Sequence, residues 1–194
     1  MISALLLAAG ASRRFGAPKL LQMVNGRPVV RWSAESLAGV ADETLVIVAP
    51  ENEAMRRALE GLSVRIVVNP RAAEGMASSL SCGVAAASPL ADAVLVALGD
   101  EPLLPRRCHE RVIARFRAGG ADVVAATYGG TRGHPVLFSR AMFTELRALG
   151  GDHGARAVAD ADPSRLSLVE MDEPHPIDVD TPEDLARLTR REQV

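Results

Sequence analysis

The chain has 194 residues, 48% of them hydrophobic and 24% charged, a balance that excludes a disordered or low-complexity protein. Aromatic residues make up only 3%, so the core is aliphatic and a base-stacking platform for single-stranded nucleic acid is excluded. The net charge of −2 provides no basic footprint for a nucleic acid. Taken in chain order, short apolar runs alternate with helical segments. Residues 2–9 (ISALLLAA) are apolar without alternation, the pattern of a strand buried on both faces. Residues 28–37 form a predicted helix with Pro28 at its first turn, 43–49 (ETLVIVA) a strand, 51–60 a charged helix and 64–68 a strand. The small residues of 77–87 predict a helix packed closely on a sheet. A fourth strand is expected at 93–98 (AVLVAL), a helix at 106–117 and a fifth strand at 122–126. Beyond it come a short extended piece at 135–138, helices at 140–149 and 155–160, an edge strand at 165–170 and a closing helix at 182–190.

This alternation predicts an α/β fold of three layers, a mainly parallel, Rossmann-like sheet covered by helices on both faces. No repeat or linker interrupts it, so one domain spanning residues 1–194 is expected. Met1 to Ala9 has the apolarity of a signal peptide, but Arg13 and Arg14 follow the run and no basic residue precedes it, the wrong order for secretion. No apolar run approaches the ~20 residues of a membrane helix. Cys82 and Cys108 show neither metal-ligand spacing nor a dense disulfide pattern. A cytoplasmic protein without membrane or nucleic-acid partners is expected. Cys82 is expected in the core, and Cys108 and His109 on the surface of their helix.

Ligands of open α/β sheets sit beyond the carboxyl ends of the strands, which directs attention to two loops. The first reads LAAGASRRFGAPK. Gly10 and Gly16 let the backbone approach a ligand, Ser12 adds a hydroxyl, and Arg14 and Lys19 are cations suited to phosphate oxygens. It is neither a Walker P-loop nor a dinucleotide fingerprint, and its composition equally suits a solvated surface turn. The second, VALGDEPLLP, places Asp100 and Glu101 directly after a central strand. Asp100 there is either a Mg²⁺ ligand, a cation that takes one or two carboxylates plus substrate phosphates, or a cap for the next helix. Near the C-terminus, Thr181 to Asp184 fits a capping box with Pro182 in the first turn, which leaves Asp178 and Asp180 unexplained.

LAAGASRRFGAPKLL resembles the N-terminal signature of MobA-like NTP transferases, and NGRPVV, NP-x4-GM-x-SSL, LGDEPLL, GHPVLF, GD-x-GAR and DVDTPEDLARL follow in the family's order over nearly the whole chain. Within the group the sequence is most similar to molybdenum cofactor cytidylyltransferases. The resemblance implies that Gly10, Ser12, Arg14, Gly16 and Lys19 hold the triphosphate, with Arg14 and Lys19 on the phosphates. It further implies that Asp100 binds Mg²⁺, joined by Asp180, with Asp178 close enough to compete. Ala8, Ala9 and Gly10 read as the CTP-using form of the loop, against AGG in GTP-using relatives. Ser78 and Ser79 resemble the serine region that holds base or ribose. GHP, with His134, is expected on the acceptor side together with Asp178, and Asp152 and His153 either bind acceptor or open the following helix. Phe15 stands where Met is commoner, and Glu101 where Gln is frequent. The implied reaction is attack of an acceptor phosphate, that of a molybdopterin-type acceptor, on the α-phosphorus of CTP. Pyrophosphate leaves, and no general base is needed, in keeping with the absence of an obvious His–Asp pair. A molybdoenzyme or its chaperone is the implied recipient of the product. Three rivals remain: a guanylyl or sugar-phosphate relative, a nicotinamide or flavin oxidoreductase on a similar sheet, and a non-catalytic cofactor-delivery protein.

Overall fold

A computed structural model describes residues 1–10, 12, 15–150 and 155–191. In chain order its elements are β1 (Ile2–Ala8), β2 (Met23–Val24), β3 (Arg27–Pro28), α1 (Val29–Ser36), β4 (Glu43–Val48), α2 (Glu53–Ala58), β5 (Arg65–Val68), α3 (Met76–Ala86) and β6 (Ala93–Leu98). They continue with α4 (Arg106–Arg117), β7 (Val123–Tyr128), β8 (Thr131–Ser139), α5 (Phe143–Ala148), α6 (Ala155–Ala161), β9 (Leu166–Met171) and α7 (Pro182–Arg191). Seven strands form one sheet in the order β5-β4-β1-β6-β8-β7-β9, and β2 and β3 make a small separate hairpin. Pairing is parallel except at β8, which runs antiparallel to both β6 and β7.

The unalternating apolar runs have the predicted cause. Side chains of a strand alternate between faces, and here both faces are covered. Ala4, Leu6 and Ala8 of β1 join α1, α4 and α7 in one cluster, whereas Leu5 joins α3, α5 and α6 in the other. The small residues of α3 do bring it close to the sheet: a Cβ at Gly83 would lie 3.1 Å from Ile47 Cδ1 and 3.2 Å from Leu5 Cδ1. From β1 the chain builds outward through β4 to β5, then returns to lay β6 on the other side of β1. The order reverses between β1 and β6, and their carboxyl ends flank the crevice where such sheets bind ligands.

Three expectations are corrected. The piece expected at 135–138 is the nine-residue β8, set in the middle of the sheet. Pro135 hides its length, because it interrupts the ladder: the register with β7 passes from Ala125↔Val136 to Ala126↔Gly133, leaving His134 and Pro135 as a bulge, joined by a cis peptide bond. Cys108 and His109 are buried, at 0% and 1% exposure, not on the surface. The charges of Arg106, Arg107, Glu110 and Arg111 disguised a stripe in which 108 and 109 recur one turn later as Val112 and Ile113. Cys82 is only partly buried, with its Sγ 3.8 Å from the Val68 carbonyl.

Candidate active site

The loop after β1 folds on Ser12. Its carbonyl accepts from the N–H groups of Phe15 (3.1 Å) and Gly16 (3.3 Å), and its Oγ accepts the Lys19 N–H (3.2 Å). Ser12 and Gly16 both take positive φ, which tightens the turn. The turn delivers Lys19 to the first position of a short 3₁₀ helix, Lys19–Leu21, and its side chain reaches back over the β1/β6 crevice. Arg14 lies outside the described residues, as do Asp152 and His153.

Lys19 Nζ donates to Asp100 Oδ2 at 2.6 Å and to Asp180 Oδ1 at 2.8 Å. Residues separated by 81 and 161 positions thus meet on one ammonium. Two contacts hold them there. The Val179 N–H donates to the Asp100 carbonyl at 2.9 Å, pinning the segment before α7 to the loop after β6. The capping box then sets the register of Asp180, since the Thr181 N–H donates to Asp184 Oδ2 at 2.9 Å and the Asp184 N–H to Thr181 Oγ1 at 3.2 Å. Burial pulls the Lys19 pKa down, but the bonds and charges of Asp100 and Asp180 outweigh it and hold the amine above its ordinary value. Asp178, exposed on its outer side, is pushed up to about 6 by partial burial and by Glu101 and Asp100.

These groups open on a cavity of about 830 Å³, roomy enough for a nucleotide. Ala9, Gly10, Ser12, Lys19, Ser79, Asp100, Asp178 and Asp180 line it, with the 72–76 turn as the far wall. Ala8, Gly16, Ser78 and His134 are not in the lining. The two serines of the expected base region therefore part company. Ser79 lines the cavity, whereas Ser78 accepts from Asn69 Nδ2 (2.9 Å) and donates to the Arg71 carbonyl (2.7 Å), bracing the wall from behind. Asn69 carries no chemical signal of its own in the sequence beyond its place in NP-x4-GM; it is 1% exposed and bonds both hydroxyls.

Asp100 and Asp180 suit a hard divalent cation: both are carboxylates, and both already converge on a positive charge. Among the described residues no three His, Cys, Asp or Glu side chains gather closely enough for an all-protein cage. A Mg²⁺ site completed by substrate phosphates and water needs only one or two carboxylates. His134 stands on the other side of β6, its Nδ1 3.5 Å from Glu101 Oε1. No described helix is long and apolar enough to cross a membrane.

The family model of the MobA-like NTP transferase domain matches residues 4–166. Asp178 and Asp180 lie past that segment, on the stretch that closes the crevice. The nicotine blue oxidoreductase of Paenarthrobacter nicotinovorans is 33% identical over 96% of each chain. A probable molybdenum cofactor guanylyltransferase of Thermococcus gammatolerans is 30% identical over 94% of this chain and 96% of its own. Among solved structures, the manganese complex of Rv0371C from Mycobacterium tuberculosis H37Rv superposes with a TM-score of 0.81 at 30% identity over 97% of both chains. With a matched segment covering most of its length, this chain belongs to the MobA-like NTP transferase family and is a nucleotidyltransferase of that type.

Proposed function

We propose that the protein transfers CMP from CTP to the phosphate of a molybdopterin-type acceptor, molybdenum cofactor, with release of pyrophosphate. The observation that carries this reading is the meeting of Lys19, Asp100 and Asp180 at the β1/β6 crevice. In-line phosphoryl chemistry needs little beyond positioning and charge stabilisation, and these residues supply both. Asp100 and Asp180 would hold Mg²⁺, which neutralises triphosphate charge when bound. Lys19, kept charged by its surroundings, meets the negative charge that builds on the α-phosphate. Gly10, Ser12 and Gly16 shape the turn that receives the triphosphate, with Arg14 on the leaving pyrophosphate. Ser79 and the 72–76 turn face the nucleoside, and His134 and Asp178 the acceptor. AAG at 8–10 supports CTP, whereas the guanylyltransferase relative is the argument for GTP.

The deciding experiment is pyrophosphate release from each of the four NTPs with Mg²⁺, with and without molybdenum cofactor. Release with CTP alone, dependent on the cofactor, supports the reading; release with GTP moves it to guanylyl transfer. Lys19→Ala and Asp100→Ala should each lower kcat at least a hundredfold, the usual cost of losing one preorganised charge, roughly 3 kcal/mol. Near-wild-type turnover in either variant removes that residue from the mechanism. A second reading follows from the relative named nicotine blue oxidoreductase. The loop after β1 carries no dinucleotide fingerprint, and oxidation of NADH or NADPH by purified protein, without pyrophosphate release from any NTP, would favour this second reading instead.

A further inference from the structure

On the reading above, the nucleotide occupies the cavity on the side of β1, β4 and β5, where the 72–76 turn and α3 form its wall. Across β6 lies β8, and there the structure builds a second polar arrangement around His134. Pairing of β8 with β6 ends at Val96↔Val136, and the bulge at His134 and Pro135 frees the next residues from the ladder, a device that re-aims side chains. Tyr128 Oη donates to the His134 carbonyl at 2.6 Å. Gly133 is boxed in, since a Cβ there would lie 3.0 Å from the Tyr128 ring and 3.2 Å from His175. The imidazole is met by Glu101, whose Oε1 stands 3.5 Å from Nδ1. Glu101 is only 3% exposed, and its Oε2 is buried without a hydrogen-bond partner among the described residues. A buried carboxylate is costly unless it serves a neighbour.

We infer that Glu101 is a positioning residue for acceptor recognition: it holds His134 through Nδ1, so that Nε2 is the atom offered to the acceptor's phosphate. This rests on the nucleotidyl-transfer reading. The charges around the mouth make the argument. Asp100 and Asp180 are engaged with Lys19, Asp178 adds a further acid, and Arg132, the neighbouring base on β8, is paired with Asp160. Among the described residues, a phosphate approaching from the β8 side meets Glu101 and Asp178, and His134 beside them can present a cation. Burial alone would keep that imidazole neutral, and buried His109 on α4 lies in its field. Glu101, 3.5 Å from Nδ1, outweighs burial and holds His134 above its ordinary pKa. A glutamine at 101 would bond Nδ1 without supplying the charge. Glutamate here thus selects for an anionic group on the acceptor.

The test compares Glu101→Leu, the conservative Glu101→Gln, His134→Gln and the Glu101→Leu/His134→Gln pair. Expected are rises of roughly tenfold in KM for molybdenum cofactor in Glu101→Leu and His134→Gln, the loss of one charge-assisted bond. KM for the NTP should stay within twofold, and the paired variant should be no worse than either single one. In Glu101→Gln the acceptor KM should climb more steeply than in wild type between about pH 6 and 8. Acceptor KM within twofold of wild type in Glu101→Leu, or additive losses in the pair, would overturn the inference. A readout independent of turnover is imidazole ¹⁵N NMR of the unliganded protein titrated with inorganic phosphate. A His134 Nε2 signal that moves in wild type and not in Glu101→Leu supports the assignment, even if no NTP proves to be a substrate. A signal that stays still in wild type overturns it, even if nucleotidyl transfer is observed.

Discussion

Ser78 and Ser79 show how far two adjacent hydroxyls diverge once a helix orients them. Both are buried and both bond Asn69, but only Ser79 reaches the cavity. Ser78→Ala leaves the Arg71 carbonyl and one Asn69 bond without their partner, and should cost about 1–2 kcal/mol in denaturant unfolding with little change in NTP KM. Ser79→Ala should raise NTP KM severalfold with a smaller loss of stability, since it forfeits only the Asn69 bond. Matching effects from both variants would mean that the wall acts only as a scaffold. The same contrast explains what the sequence showed of the site. Lys19 and Asp100 were legible because a glycine-rich turn and a strand-end acid are local features. The Glu101–His134 pair was not, because its members are brought together by a bulge in a strand whose proline masked it.

At the level of elements, α3 illustrates the link between composition and packing. Its run of Ala, Ser, Cys and Gly is what a helix needs to approach a sheet, and Gly83 occupies the point of nearest contact with Leu5 and Ile47. Gly83→Leu should destabilise by about 1–3 kcal/mol through overpacking, measured as a fall in the denaturant midpoint with unchanged slope. A neutral result would show that α3 can shift outward. Helix α7 conforms to its predicted box, Thr181 and Asp184 exchanging bonds at its start. The cap accounts for the helix; the side chain of Asp180, one residue before it, goes instead to Lys19. Helix α4 departs from its expected surface position because its charged residues flank a buried stripe that includes His109.

That histidine has a consequence for the whole molecule. Burial, reinforced by the nearby charge of His134, pushes His109 down to about 4, and its described contact is the Ser36 hydroxyl at 3.1 Å. Because the folded pKa is depressed, the stabilisation is complete above the unfolded value of about 6.5 and is lost as pH falls towards 4. The loss attributable to this group is on the order of 3 kcal/mol. Unfolding free energies between pH 7 and 4 should therefore fall less steeply in His109→Gln than in wild type; parallel curves would show that His109 protonates without opening the interface between α1 and α4. By itself the sequence determined the layered, mainly parallel fold, because hydrophobic period and turn chemistry are local, and it marked the two loops at the strand ends for the same reason. Only the tertiary structure decided that β8 runs antiparallel inside the sheet, that Asp180 closes on Lys19 from 161 residues away, and that Glu101 is buried against His134. Those contacts depend on which strands become neighbours and where a ladder is broken, and no local pattern carries that information.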